Sequence, residues 1–230
     1  LGYLCSAVEG TISMEKPASR MKFIIRVLEW VLLFFGIPLL IYFDKTFIHP
    51  SIIILPVLAF IFIVMKRTTD FTWKELFRWQ IPARLLIRNG FIILAFLLLI
   101  LGYVLLFERE NLFNLPRAHP WIFVIICIFY PVFSAFGQEV IYRTFLYRRY
   151  RVLFPNTWSY VLASGITFSF LHIVYYDPVS MIITFIGGIY FGLVYLQTRS
   201  VLFSALLHGL TGIILFAVGM GQYFWLDMPV

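Results

Sequence analysis

Charge is scarce in this chain. Only 13% of its 230 residues are Asp, Glu, Lys or Arg, against 62% hydrophobic. A water-soluble domain carries roughly a quarter charged and about half apolar residues, so a soluble globular fold is excluded for most of the length. Cysteine is scarcer still. Cys5 lies in a polar leader and Cys127 in an apolar block, which excludes a disulfide framework; Cys-x-x-Cys and Cys/His zinc spacings are also missing. Short segments alternating at the β period are absent, as is any internal repeat of the kind a transporter shows.

What is present is blocks of apolar residues long enough to cross a bilayer, a span needing about 17–25 residues. Seven spans are expected, roughly at 24–43, 47–65, 87–107, 121–146, 158–176, 179–197 and 201–219. The fold class is an all-α polytopic transmembrane bundle. The 26 Phe, 13 Tyr and 6 Trp suit a lipid-facing surface with aromatic belts at its edges. Asp44-Lys45-Thr46 makes a tight turn between the first two spans, and Pro56 predicts a kink in the second. Between spans two and three, Trp73, Leu76, Phe77 and Ile81 recur among basic residues over 66–86, which predicts an amphipathic helix in the headgroup plane. Gly188 and Gly192, with Gly187 beside them, form a small-residue stripe on the sixth span, read as a packing surface.

Residues 1–20 form a polar leader without a signal-peptide pattern. Either translation starts at Met21 or Met14 and the leader is not translated, or it is a cytoplasmic tail. Residues 21–230 are expected to form one transmembrane domain. The formal charge of +7 does not indicate nucleic acid, because the Lys and Arg sit in short loops between spans. With seven spans, Lys16, Arg20, Lys22 and Arg26 share a side with Lys66, Arg67, Lys74, Arg78, Arg84 and Arg88. Arg148, Arg149, Arg151 and Arg199 fall there too. Only Lys45, Arg109 and Arg117 fall opposite. The positive-inside rule then puts the N-terminus in the cytoplasm and the C-terminus outside, in what is expected to be a bacterial cytoplasmic membrane.

An ionisable side chain inside a span is costly and is a candidate functional group. Glu29 lies near the cytoplasmic end of the first span and is expected to reach water. The deep groups are Glu139 and Arg143 in span four, His172 in span five and His208 in span seven. Glu139 and Arg143, four residues apart, share a helix face and can pair. One carboxylate and two imidazoles on three late spans can converge. Together they can activate water and stabilise an oxyanion, or hold a divalent metal such as zinc through Glu139, His172 and His208. Taken singly, the pair also reads as a self-neutralising ion pair and each His as a hydrogen-bonded packing residue.

These residues resemble the motifs of the CAAX-protease and bacteriocin-processing family, which includes the type II CAAX prenyl endopeptidases. Gln138-Glu139-Val140-Ile141-Tyr142-Arg143 is similar to its Glu-Glu-x-x-x-Arg motif, Phe168-Ser169-Phe170-Leu171-His172 to Phe-x-x-x-His, and His208 to the start of His-x-x-x-Asn. Two positions depart from the pattern: Gln138 replaces the first Glu, the residue usually given the water-activating role, and Gly212 replaces the Asn. The resemblance covers about 120–220 as the protease-like core. It implies an intramembrane endopeptidase acting on a membrane-associated or lipid-modified protein or peptide. Glu139 and His172 would activate water, His208 would stabilise the oxyanion and Arg143 would orient the carboxylate. The departures imply an alternative, an inactive member serving as membrane scaffold, immunity factor or regulator. For Glu139 to act in place of Gln138, span four must be rotated or distorted, which Pro131 and Gly137 permit. The partners implied are the lipid bilayer and a protein or peptide substrate.

Overall fold

Where no water is available the backbone must satisfy its own hydrogen bonds, and in an apolar block that means a helix. The computed structural model of the chain describes residues 20–43, 50–68 and 71–224, and it places a helix at each expected span with no strand among these residues. The long helices are α1 (Arg20–Phe43), α2 (Pro50–Thr68), α3 (Ala83–Phe107), α4 (Pro120–Tyr150), α5 (Thr157–Tyr175), α6 (Pro178–Thr198) and α7 (Val201–Val218). Six of them, α1 and α3 to α7, are each long and apolar enough to cross a membrane among the described residues. Helix α2 runs 19 residues with Pro56 inside it. The expectations for the leader and for the Asp44-Lys45-Thr46 turn lie outside the described residues.

Contacts between helix ends show that successive helices alternate in direction. At one end, Glu29 of α1 takes a forked pair of hydrogen bonds from Arg149 of α4, 2.8 Å from Nε and 2.7 Å from Nη2, and another of 2.9 Å from the Tyr150 hydroxyl. Glu29 is thus an ion-pair partner as well as a half-buried group near the helix start. Arg148 pairs with Glu75, and Arg88 of α3 donates to Gln197 of α6. At the other end the Tyr176 hydroxyl donates to the carbonyl of Tyr42. There Glu108 accepts from Gln222 and Tyr223 beyond α7. Burial and the Glu108 carboxylate push the Tyr223 phenol above its usual range.

The segment between α2 and α3 corrects an expectation. Among the described residues no single amphipathic helix spans 66–86; the element between α2 and α3 is one 3-10 stretch, Trp73–Phe77. The cause is local. Glu75 turns back to accept from the Thr72 backbone N–H at 3.1 Å and closes the turn at its start. Pro82 then favours an extended residue before it, and α3 begins at Ala83. The Arg78 carbonyl, which a helix would use internally, accepts from Ser200 Oγ at 2.6 Å. Leu76 is buried while Trp73, Phe77 and Trp79 stay exposed. The apolar spacing seen in the sequence therefore belongs to a strap across one end of the bundle.

Helices α5 and α6 pack backbone to backbone. A Cβ on Gly188 would lie 2.8 Å from the Gly165 Cα and 3.2 Å from the Ser164 carbonyl, and one on Gly192 would meet Ser164 Oγ at 3.3 Å. The small-residue stripe is a packing surface, as expected, and Gly187 takes no part in it. Its hypothetical Cβ meets only Phe191 of the same helix, at 3.4 Å.

Candidate active site

Helix α4 carries the site and is not a uniform α-helix. Wide π turns cover Tyr130–Ala135 and Val140–Phe145, and a single α turn, Phe136–Glu139, lies between them. Pro131 has no N–H to give to the helix, and a missing donor is a recognised cause of such local rearrangement. The Phe136 N–H reaches back to the Pro131 carbonyl, one residue further than in an α-helix. Each π turn rotates the residues downstream of it relative to an unbroken α-helix. The distortion that Pro131 made possible is therefore present, with Glu139 between its two halves.

Glu139 and Arg143 are both fully buried. Arg143 Nε donates to Glu139 Oε2 at 2.8 Å and its Nη2 to Oε1 at 3.2 Å, a forked charge-assisted pair. Nη1 donates to the Tyr142 carbonyl at 3.3 Å and to Ser164 Oγ on α5. The rings of Phe168 and Phe191 flank the guanidinium, its Cζ lying 5.2 and 5.8 Å from their centroids. Every face of the cation is thus occupied, which is what keeps a buried arginine tolerable.

His208 of α7 completes the array. Its Nδ1 lies 3.1 Å from Glu139 Oε1, and its Nε2 lies 3.1 Å from the Tyr130 hydroxyl. Its ring stacks on Phe191 at a centroid distance of 5.0 Å. A carboxylate held by arginine only accepts, so Nδ1 is the donor, and a neutral imidazole then accepts at Nε2 from the tyrosine. Arg143, Glu139, His208 and Tyr130 form one continuous chain of hydrogen bonds through the bundle.

His172 is buried beside this chain without joining it. It lies where α5 tightens from α into a 3-10 turn over His172–Tyr175. Its Nδ1 is 2.8 Å from the Phe168 carbonyl. A carbonyl only accepts, so Nδ1 carries the proton and Nε2 keeps its lone pair. The Phe168 ring contacts both imidazoles, at 5.0 Å from His172 and 5.3 Å from His208. Among the described residues no three His, Cys, Asp or Glu side chains are grouped to hold a metal ion. Glu139, His172 and His208 are not brought together as one such group in this arrangement. The carboxylate is saturated by Arg143 and His208, and Phe168 packs against both imidazoles.

Gln138 faces elsewhere. Its amide nitrogen donates to Ser134 Oγ at 2.9 Å, while its Oε1 is buried without a partner. The side chain helps line a narrow cavity otherwise walled by apolar groups of α1, α2, α4 and α5, Phe34, Ile61 and Tyr142 among them. Nothing in the sequence singled out Tyr130, one tyrosine among thirteen, or Ser164 as the partner of Arg143. For Tyr130 a faint signal existed in Gly209 and Gly212, small residues close to His208 on α7.

Residues 120–214 match the family described as Type II CAAX prenyl endopeptidase Rce1-like. The match runs from the start of α4 to near the end of α7 and contains every residue of the hydrogen-bonded chain. The match covers less than half of the chain and agrees with the resemblance that the motifs carry to the CAAX-protease and bacteriocin-processing family. No curated protein and no solved structure matches the chain significantly.

Proposed function

We propose that the chain is an intramembrane endopeptidase that hydrolyses a peptide bond of a membrane-associated or lipid-modified protein or peptide. The observation that carries this reading is the buried Glu139–His208 contact braced by Arg143. Holding an ion pair and an imidazole at full burial is costly, and a carboxylate that fixes one tautomer of a histidine is a recurring means of tuning proton transfer. Peptide hydrolysis needs one group to take a proton from water and one to return a proton to the leaving amine. His172, whose Nε2 keeps its lone pair, is the imidazole placed to make that exchange. Glu139, with both oxygens engaged, acts through His208 as its orienting partner. Arg143 holds the carboxylate.

The test is cleavage by the full chain in proteoliposomes, with peptides that carry or lack a C-terminal prenylated cysteine and mass spectrometry as readout. Wild type is expected to cut at least one class. His172→Ala, His208→Ala and Glu139→Gln are each expected to reduce the rate about 100-fold or more while the protein still inserts. Full activity in His172→Ala would remove the proposed proton acceptor.

A second reading, an inactive member acting as scaffold, immunity factor or regulator, is favoured by Gln138. An amide accepts no proton at neutral pH, and this one lies against apolar side chains with its oxygen unpartnered. That reading wins if wild type cuts nothing and Gln138→Glu creates cleavage that persists when Glu139→Gln is added.

A further inference from the structure

Position 212 lies one turn beyond His208 on α7, where a side chain would project beside the imidazole. It is glycine, and the space is not vacant. A Cβ there would fall 2.2 Å from Tyr130 Cε1, 2.5 Å from Cζ and 2.6 Å from the hydroxyl oxygen. The phenol end of Tyr130 therefore occupies the volume that any side chain at 212 would enter. The neighbouring glycine repeats the fit, since a Cβ on Gly209 would meet Pro131 Cβ at 2.9 Å. Two glycines of α7 thus admit two consecutive residues of the π turn in α4. The π geometry and the glycines are two halves of one arrangement that brings the Tyr130 hydroxyl to His208 Nε2.

We infer that Tyr130 is a positioning residue for His208, reaching across from α4 to supply the polar group that Gly212 does not. The inference rests on the proposed peptidase reading for its purpose, though not for its geometry. Nδ1 of His208 is committed to Glu139, which leaves Nε2 as the one face of the ring to be oriented. The Tyr130 O–H donates to it, so the imidazole is pinned at both nitrogens. Phe216 packs edge-on against Tyr130 with ring centroids 5.8 Å apart and steadies the phenol. Gly212 is then the space that lets a tyrosine in, rather than a lost functional group.

Two measurements on the purified full chain in micelles test this without needing activity. The first is the nitrogen NMR spectrum of the histidine side chains, with His208 assigned through His208→Gln. Tyr130→Phe keeps the ring and removes the hydroxyl. It is expected to shift the His208 Nε2 resonance and leave that of His172 unchanged; an unmoved Nε2 signal overturns the proposal. The second is an exchange of bulk. Gly212→Asn alone is expected to lower the unfolding midpoint, because the new side chain meets the phenol. Tyr130→Ala with Gly212→Asn is expected to recover it and to restore a hydrogen-bonded Nε2 signal that Tyr130→Ala alone loses. If Gly212→Asn is as stable as wild type, Tyr130 does not fill that space and the inference fails. This exchange decides the matter should Tyr130→Phe not fold. Where wild type cleaves peptide, Tyr130→Phe is expected to lower turnover about tenfold, the worth of one ordinary hydrogen bond. A wild type that cuts nothing counts against the peptidase reading alone, since both spectroscopic results stand apart from it.

Discussion

The energetic centre of the site is a single arginine. Arg143 has no exposed surface and donates to Glu139, the Tyr142 carbonyl and Ser164. Removing one member of such a pair strands the other charge, which costs about 3–5 kcal/mol, whereas removing both costs far less. Arg143→Met is accordingly expected to lower the unfolding midpoint in detergent sharply. Arg143→Met with Glu139→Gln is expected to recover much of that loss while staying inactive. If the double variant is no more stable than Arg143→Met alone, Glu139 is not held as a buried anion. The rarity of charge in the spans makes Glu139, Arg143, His172 and His208 legible in the sequence, since few other ionisable groups interrupt the apolar blocks. Their partners were not legible. Ser164 and Tyr130 belong to residue types that the chain uses throughout, and only three-dimensional proximity singles them out.

At the scale of the element, seven helices could be placed from hydropathy because each is bounded by charge or proline. The strap at 71–82 was misread because helical spacing of apolar residues is also produced by a turn that buries Leu76 and leaves its neighbours exposed. The internal form of α4 was half legible: Pro131 and Gly137 signalled a distortion, but not that it would take the form of two π turns. The α5–α6 seam sets the position of Ser164, and through it one side of Arg143. Gly188→Ala puts a methyl 2.8 Å from the Gly165 Cα and 3.1 Å from the Phe168 Cβ, so the helices must part. The expected cost is about 1–3 kcal/mol, with a parallel loss of activity as Ser164 withdraws. Gly187→Ala adds a methyl in ordinary contact and gains up to about 1 kcal/mol of helix propensity. Unfolding midpoints of the two variants should therefore move in opposite directions. A harmless Gly188→Ala would show that the seam is loose.

For the whole molecule, the charge pattern and the contacts arrive at the same arrangement independently. Arg26 and Glu29 meet Arg149, Arg148 meets Glu75, and Arg88 meets Gln197, so the basic segments gather at one end of the bundle. The opposite end holds Glu108, Gln222, Tyr223 and the Tyr42–Tyr176 contact. The concentration of Lys and Arg assigns the first end to the cytoplasm; we propose that orientation, with the C-terminus outside. Only α4 separates Ala118 from Val152, and both residues are exposed. In a background of Cys5→Ser and Cys127→Ser, a membrane-impermeant maleimide added to intact cells is expected to label Ala118→Cys. Val152→Cys should label only after the membrane is opened. The reverse pattern would mean that the basic end faces outward and that His208 and Glu139 serve substrates presented from the other side. Equal labelling of both would mean that α4 does not cross the bilayer. The Arg143–Glu139 pair would then not lie in lipid, and the physical case for a function in that pair would lose its premise.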